Sequence, residues 1–266
     1  MTFVLYFPGM KNNLFDLSGK TALVTGGGRG IGLGIAMGLA QHGADIALLA
    51  RTKEQLDKAA GQIQSETGGT AKAFCFDLAD LDAISDLFDK IAEETGGIDI
   101  LVNCAGTTIR SPAEQIKLED WHKVQDVNLT SAMLLSQAFF KHCRKENKPG
   151  RIINVGSLTC HAARPTTAPY AASKAGLFAL TQTLATEWAK HNITVNAIGP
   201  GYIATELTEP LQKNEEFNKW VLAKTPLGRW GKPEDIAGTA VLLASRAGEF
   251  ITGQIIYVDG GWLALL

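Results

Sequence analysis

The sequence predicts one α/β domain, a doubly wound parallel sheet of about seven strands with helices on both faces. Three observations carry that reading. Short apolar runs alternate along the whole chain with longer segments of helical periodicity. A glycine-rich turn, Thr25-Gly26-Gly27-Gly28-Arg29-Gly30-Ile31-Gly32, joins the first apolar run to the first helical one. No repeat, linker or low-complexity stretch divides the chain, and 266 residues suit a single domain of this kind.

Strands are expected over 21–24, 45–50, 71–76, 98–103, 151–155, 194–198 and 254–258, each a short apolar run between polar or turn-forming residues. Helices are expected over 30–42, 53–65, 81–95, 113–147, 169–192, 205–224 and 233–245, where apolar residues recur at helical spacing. In such a sheet ligands bind at the carboxyl ends of the strands. Gly26, Asn103, Ser157 and Pro200 each follow a predicted strand end, so they should converge there.

The glycine turn lets the backbone approach a pyrophosphate, and the helix after it offers unpaired N–H groups at a positive dipole end. Gly26, Gly28, Gly30, Ile31 and Gly32 are the candidate contacts. The strict G-x-G-x-x-G spacing fails, since its last glycine falls on Ile31, Leu33 or Ile35; T-G-x-x-x-G-x-G fits instead. Further along, Tyr170 and Lys174 stand at i and i+4 in Pro169-Tyr170-Ala171-Ala172-Ser173-Lys174, on one face of a predicted helix. A phenol titrates near ~10 and is a poor base at neutral pH. A cation beside it favours the phenolate and should lower that value. With the Ser157 hydroxyl supplied from a strand end, the group is equipped to exchange a proton with an alcohol or carbonyl oxygen.

With these motifs in this order, the chain resembles the short-chain dehydrogenase/reductases, a Rossmann-type family, from about Asn13 to the C-terminus. The family's glycines match Gly26, Gly30 and Gly32, and its turn after the fourth strand matches Asn103-Cys104-Ala105-Gly106, with Cys104 where a second asparagine is usual. Its tetrad matches Asn128, Ser157, Tyr170 and Lys174, and its P-G-x-x-x-T segment matches Pro200, Gly201 and Thr205. The resemblance implies that Tyr170 is the acid/base, that Ser157 steadies the substrate oxygen, and that Lys174 holds the nicotinamide ribose. It further implies that Asn128 anchors a water leading from Lys174, that Asp77 and Leu78 border the adenine, and that the Ile203 backbone and Thr205 hydroxyl clamp the carboxamide. Asn103 is implied as a cofactor contact.

Cofactor choice turns on Arg29 and Arg51. An acidic residue about twenty positions past the glycines would hold a 2′-hydroxyl, whereas arginine accommodates a 2′-phosphate. The second strand ends Leu48-Leu49-Ala50-Arg51-Thr52, without an acid, and Arg29 adds a cation inside the turn. NADP(H) is therefore expected, the alternative being two arginines that simply face water. On the substrate side, Arg110 lies in the segment after the Asn103 turn, and His161 and Arg164 follow Ser157. Arg110 beside His161 would suit a hydroxylated acid, because arginine clamps a carboxylate bidentately; the alternative is that all three face solvent. Gly228-Arg229-Trp230-Gly231 and Asp259-Gly260-Gly261-Trp262-Leu263-Ala264 resemble segments of gluconate 5-dehydrogenases and 2-deoxygluconate 3-dehydrogenases.

The expected activity is hydride transfer between NADP(H) and a secondary alcohol or ketone of a sugar acid such as gluconate or 5-ketogluconate. One rival is a 3-oxoacyl-carrier-protein reductase, weakened because Leu184-Ala185-Thr186-Glu187 lacks the arginine such relatives carry. A non-catalytic NADP-binding sensor is a remoter rival, since such proteins usually lose a tetrad member. Net charge is −2 with no basic block, so nothing recommends nucleic acid as a partner. The four cysteines and five histidines show no metal-ligand spacing, and no metal is assigned. Thiols without disulfide spacing suit a reducing, cytoplasmic setting. Residues 1–12 read as an extension without fixed structure, with Met10 as the natural start, too short to span a membrane and lacking the basic residues of a signal peptide. The small residues Ala171, Ala172, Ala175, Gly176 and Ala179, with the apolar tail from Trp262, suggest burial between subunits of a homotetramer; packing within one subunit is the alternative.

Overall fold

A computed structural model describes residues 13–265; the 1–12 extension and Leu266 lie outside the described residues. In chain order the regular elements are β1 Thr21–Thr25, α1 Gly30–Gln41, β2 Asp45–Ala50, α2 Lys53–Thr67, β3 Ala71–Cys75, α3 Ile84–Thr95 and β4 Ile100–Asn103. They continue as α4 Leu118–Gln125, α5 Ser131–Lys145, β5 Gly150–Val155, α6 Ala168–Trp188, β6 Ile193–Pro200, α7 Glu209–Lys213, α8 Glu215–Lys224, α9 Pro233–Ala244 and β7 Ile255–Val258. All strand pairs are parallel, in the order β3-β2-β1-β4-β5-β6-β7. The chain winds outward from β1 to β3, then returns to lay β4 on the other side of β1. That reversal opens a crevice above the carboxyl ends of β1 and β4, where ligands bind in such sheets.

Both faces of the sheet are covered, which is why β1, β2 and β4 read as nearly unbroken apolar runs. On one face Ile35 and Leu39 of α1, Leu56 and Ile63 of α2, and Ile236 and Val241 of α9 share a core. On the other, Phe88 and Ile91 of α3, Phe139 of α5, and Leu184 and Trp188 of α6 form a second, with Phe88 edge-on to Phe139 at 6.4 Å.

Two predicted helices are broken. The 113–147 segment is a 3-10 turn at Ala113–Gln115, then α4, then a π turn at Asp126–Thr130, then α5. The first break follows from Ile116 and Lys117, whose extended backbones separate the pieces. The π turn has no glycine or proline to announce it. The 205–224 segment splits because Asn214 leaves the helical region (ψ 107°) and caps α8, its Oδ1 accepting from the Phe217 N–H at 2.8 Å. The helix expected over 169–192 ends at Trp188, followed by a 3-10 turn and Asn192 in the left-handed region at φ +58°.

Helix α1 touches α9 through two glycines. A Cβ at Gly34 would lie 2.5 Å from the Pro233 Cβ and 2.8 Å from its carbonyl carbon, and one at Gly38 would lie 2.6 Å from the Ala237 Cβ. Gly34→Ala removes a helix-propensity penalty of up to ~1 kcal/mol but overpacks the contact, at about 1–3 kcal/mol. Overpacking should win, because part of the obstacle is backbone that cannot rotate away. A lower denaturant midpoint than wild type is the expected result of chemical unfolding; an unchanged or raised midpoint refutes this account of the contact.

Candidate active site

A cleft of about 1180 Å³ runs across the carboxyl ends of the strands. At its floor Thr25 joins two strand ends: its Oγ1 accepts from the N–H groups of Cys104 and Ala105, both at 2.9 Å. Gly26 (φ +66°) and Gly30 (φ +55°) turn through the left-handed region, and a Cβ at Gly26 would sit 3.1 Å from the Ala105 Cα. A Cβ at Gly32 would collide with the Gly26 carbonyl oxygen. No side chain caps α1 and its first turn holds no acid, so the first amides of the helix have no side-chain partner. A tight glycine turn beside such amides fits a dinucleotide pyrophosphate. Gly28, Ile31, Leu78 and Ile203 line the same end of the cleft, as does Thr205, whose N–H is braced by the Thr208 hydroxyl at 2.9 Å.

The two arginines expected at a 2′-phosphate also line this end, and both are engaged by acids. Arg29 Nη1 pairs with Glu206 at 2.8 Å, reaching from the glycine turn to the segment after β6. Arg51 Nη1 lies 3.8 Å from the Asp77 carboxylate. All four side chains are largely exposed, so each pair contributes only about 0–1 kcal/mol.

Deeper in the cleft Ser157, Tyr170 and Lys174 come together. The Ser157 Oγ accepts from the Thr159 N–H at 3.2 Å, which leaves its own proton to donate. Lys174 is 3% exposed, its Nζ donating to the Val155 carbonyl at 2.7 Å. Burial pushes the Tyr170 phenol above its ordinary value, while the hydrogen bond with Ser157 pulls it down. Burial pushes Lys174 below its usual value, with Cys104 and Cys160 opposing. The expected lowering of Tyr170 by Lys174 is therefore not the balance found in the cleft. The ammonium is turned to Val155, 5.9 Å from the phenol ring centroid, and desolvation penalises both charged forms. Burial also pushes the neighbouring Cys104 thiol up to about 11, so it stays neutral.

Aromatic rings close the far end. Tyr202 packs on Trp262 at 4.8 Å and on Phe217 at 5.7 Å, and Trp220 meets Trp262 at 4.9 Å. Arg110 and Arg164 border this end of the cleft.

A family model described as Enoyl-(Acyl carrier protein) reductase matches residues 26–263. Gluconate 5-dehydrogenase of Gluconobacter oxydans (strain 621H) is 43% identical over 249 residues, covering 94% of this chain and 96% of the other. 2-Dehydro-3-deoxy-D-gluconate 5-dehydrogenase of Bacillus subtilis (strain 168) is 43% identical over 256 residues, 96% and 99% of the two chains. The crystal structure of a gluconate 5-dehydrogenase from Burkholderia cenocepacia J2315 in complex with NADP and tartrate superposes with a TM-score of 0.90 at 39% identity, covering 95% and 98%. The chain belongs to the short-chain dehydrogenase/reductase family. It is accordingly a nicotinamide-dependent oxidoreductase acting on CH–OH groups.

Within this dehydrogenase two expected contacts, Asn103 and His161, stand away from the cleft, and Asn128 lies behind it. Asn103 is 4% exposed and does not line the cleft; its Nδ2 donates to Asn154 Oδ1 at 2.9 Å, in a buried polar row that Asn154 extends to the Thr181 hydroxyl at 2.8 Å. His161 turns away, its Nδ1 paired with the Tyr257 hydroxyl and its ring 6.0 Å from Phe178, so it does not border the cleft. Asn128, 1% exposed inside the π turn, sits one layer behind: its Oδ1 accepts from the Thr107 N–H at 2.7 Å, and its Nδ2 donates to the Thr107 carbonyl at 2.9 Å and to Ser173 Oγ at 3.0 Å. The Trp262 side chain docks within its own chain, on Tyr202 and Trp220, the alternative left open for the tail. Glu206, Tyr202, Phe217 and Trp220 were not singled out from sequence. The one available signal was crowding, since Trp220, Trp230 and Trp262 are three of the five tryptophans.

The Glu206 carboxylate occupies Arg29, the arginine expected at a 2′-phosphate. Glu206→Gln should tighten NADPH by a few-fold, in line with the ~0–1 kcal/mol of an exposed pair, and leave NADH unchanged in a fluorescence titration. Equal changes for both cofactors would count against that competition.

Proposed function

We propose that the protein transfers a hydride between NADP(H) and a secondary alcohol or ketone of a sugar acid of the gluconate/5-ketogluconate type. The observation that carries this reading is the Tyr170–Ser157 pair beside Lys174, in a cleft whose far wall presents Arg110 among aromatic rings. Names and bound ligands of the relatives support it: gluconate dehydrogenases and a keto-deoxygluconate dehydrogenase, with NADP and tartrate in one crystal structure. Rings packed at 4.8–5.7 Å across the substrate end favour a compact polar substrate over the long arm of a carrier protein.

The glycine turn, Arg29 and Arg51 would hold NADP(H), whose nicotinamide would supply or accept the hydride when bound. In the reduction direction the Tyr170 hydroxyl gives its proton to the carbonyl oxygen, a role suited to a phenol kept protonated by burial. The Ser157 hydroxyl donates to the same oxygen and steadies the developing alkoxide. Lys174 spends one donor on Val155 and has two more for ribose hydroxyls. Asn128 fixes Thr107 and so the loop over the site. A side chain on Gly106 would lie 3.5 Å from Asn128 Oδ1 and 3.6 Å from Lys174 Nζ, so the bare glycine leaves water-sized room between them, which supports a relay from Lys174.

A homotetramer is part of the same proposal. Ala172, Ala175 and Ala179 on α6 are exposed rather than packed on the sheet, a small-residue face on which a second copy of the helix could sit closely. No described helix is long and apolar enough to cross a membrane, and the four cysteines are unpaired, which supports a cytoplasmic setting.

Turnover followed by NADPH absorbance should favour 5-keto-D-gluconate over acetoacetyl thioester by at least an order of magnitude in kcat/KM. Preference for the thioester would overturn the substrate assignment. Tyr170→Phe should abolish turnover and leave NADPH binding nearly intact. Losing both Arg29 and Arg51 should weaken NADPH by one to two decades while sparing NADH, since a charge-assisted contact is worth about 1.5–3 kcal/mol before solvent screening. Light scattering should give about four times the 28.4 kDa chain mass; a monomer at micromolar concentration refutes the tetramer.

A further inference from the structure

Arg164 lies between Ser157 and Tyr170 in sequence, in the loop leading into α6, and its place is fixed from three sides. Its guanidinium carbon stands 4.4 Å over the Phe217 ring and 5.8 Å from the Trp220 ring, both on α8. Its Nη1 donates to the Tyr202 hydroxyl at 3.4 Å. Its carbonyl accepts from the Thr167 hydroxyl at 2.8 Å. The loop is also tied to the one bearing Arg110, because the Ser111 N–H donates to the Thr166 carbonyl at 3.1 Å. Thr166 holds φ +68°, a backbone that a β-branched residue adopts only when its surroundings impose it.

Neither Arg110 nor Arg164 pairs with a carboxylate among the described residues, although Arg29, Arg51, Arg151 and Arg229 all do. Arg164 stands near enough to bear on its neighbour: Arg110 is pushed down first by burial and then by the Arg164 charge. Tyr202 feels both, its phenol raised by burial and drawn down by each arginine. Two like charges held together over a half-apolar wall gain from an anion placed between them.

We propose that Arg164, stacked on Phe217 of α8 and joined to Tyr202, is a second arm of a carboxylate clamp with Arg110, and selects acids over neutral sugars. The clamp rests on the sugar-acid reading for its natural ligand. Its geometry also ties acid recognition to α8: a carboxylate drawn to Arg164 is held beneath the aromatic helix that closes the cleft.

The test uses the full chain with saturating NADP⁺ or NADPH. Arg164→Gln should raise KM for 5-keto-D-gluconate by 10- to 100-fold with kcat within about three-fold, and leave KM for a neutral keto-sugar of equal length unchanged. Arg164→Lys should recover only part of the loss, because an ammonium lacks the planar fork and stacks less well. Phe217→Leu should weaken the acid by a few-fold and add little to Arg164→Gln. D-Gluconate binding, read by quenching of Trp220 and Trp262 fluorescence, gives a measure independent of turnover. Loss of the D-gluconate quench in Arg164→Gln supports the clamp; equal KM changes for acid and neutral sugar, or an unaltered D-gluconate affinity, overturn it. Should wild type reduce the thioester and no sugar acid, the sugar-acid reading fails, and D-gluconate affinity in Arg164→Gln still decides the clamp.

Discussion

Lys174 carries an ammonium into a place where 3% of the residue meets solvent, and the Val155 carbonyl at 2.7 Å is the partner that makes this tolerable. That one contact fastens α6 to the end of β5. Because Ser157 follows the same strand end and Tyr170 precedes Lys174 by one helical turn, it also sets the phenol against the serine. The Asn154–Thr181 bond at 2.8 Å, deeper between the same strand and helix, repeats the fastening. A shift of either element would part the Tyr170 phenol from the Ser157 hydroxyl.

The cleft has two ends of different chemistry, and one stretch of chain serves both. After β6, Ile203, Thr205 and Glu206 face the glycine turn while Tyr202 faces the aromatic end, with Phe217 and Trp220 following on α8. The Thr208 hydroxyl organises this stretch, donating to the Ile203 carbonyl at 2.7 Å while the Thr205 N–H donates to it at 2.9 Å. The Arg29–Glu206 pair spans the glycine-turn end and the Arg164–Phe217 stack spans the aromatic end. The two contacts hold the chain from the end of β6 through α8 against the rest of the fold.

Much of this was legible in the sequence because it is local. A glycine turn between an apolar strand and a helix can be read without knowing what surrounds it, since φ near +60° and a missing Cβ are properties of the residues themselves. The alternation of apolar runs with helical periodicity gave each of the seven strands to within a few residues. Tyr170 and Lys174 could be paired because i and i+4 share a helix face wherever the helix goes. The π turn was not legible: it differs from an α-helix by one extra residue per hydrogen-bonded turn, and neither glycine nor proline marks it.

The remaining assignments depended on partners far apart in the chain. Asn103 and His161 stand at the right places in sequence for the cleft, yet Asn154 and Tyr257 draw their side chains elsewhere. Arg29 and Arg51 carry the charge expected of them, but that each is met by an acid followed only from the fold. Trp262 read as part of an apolar tail in need of cover, and Tyr202 and Trp220 of the same chain cover its ring. The sequence by itself determined the strand order's raw material, the glycine turn and the placing of Tyr170 and Lys174 on one helix face, all written in backbone conformation and helical spacing. Which polar side chains reach the cleft was decided by tertiary structure alone, because a side chain turns toward whichever partner burial brings within hydrogen-bonding distance.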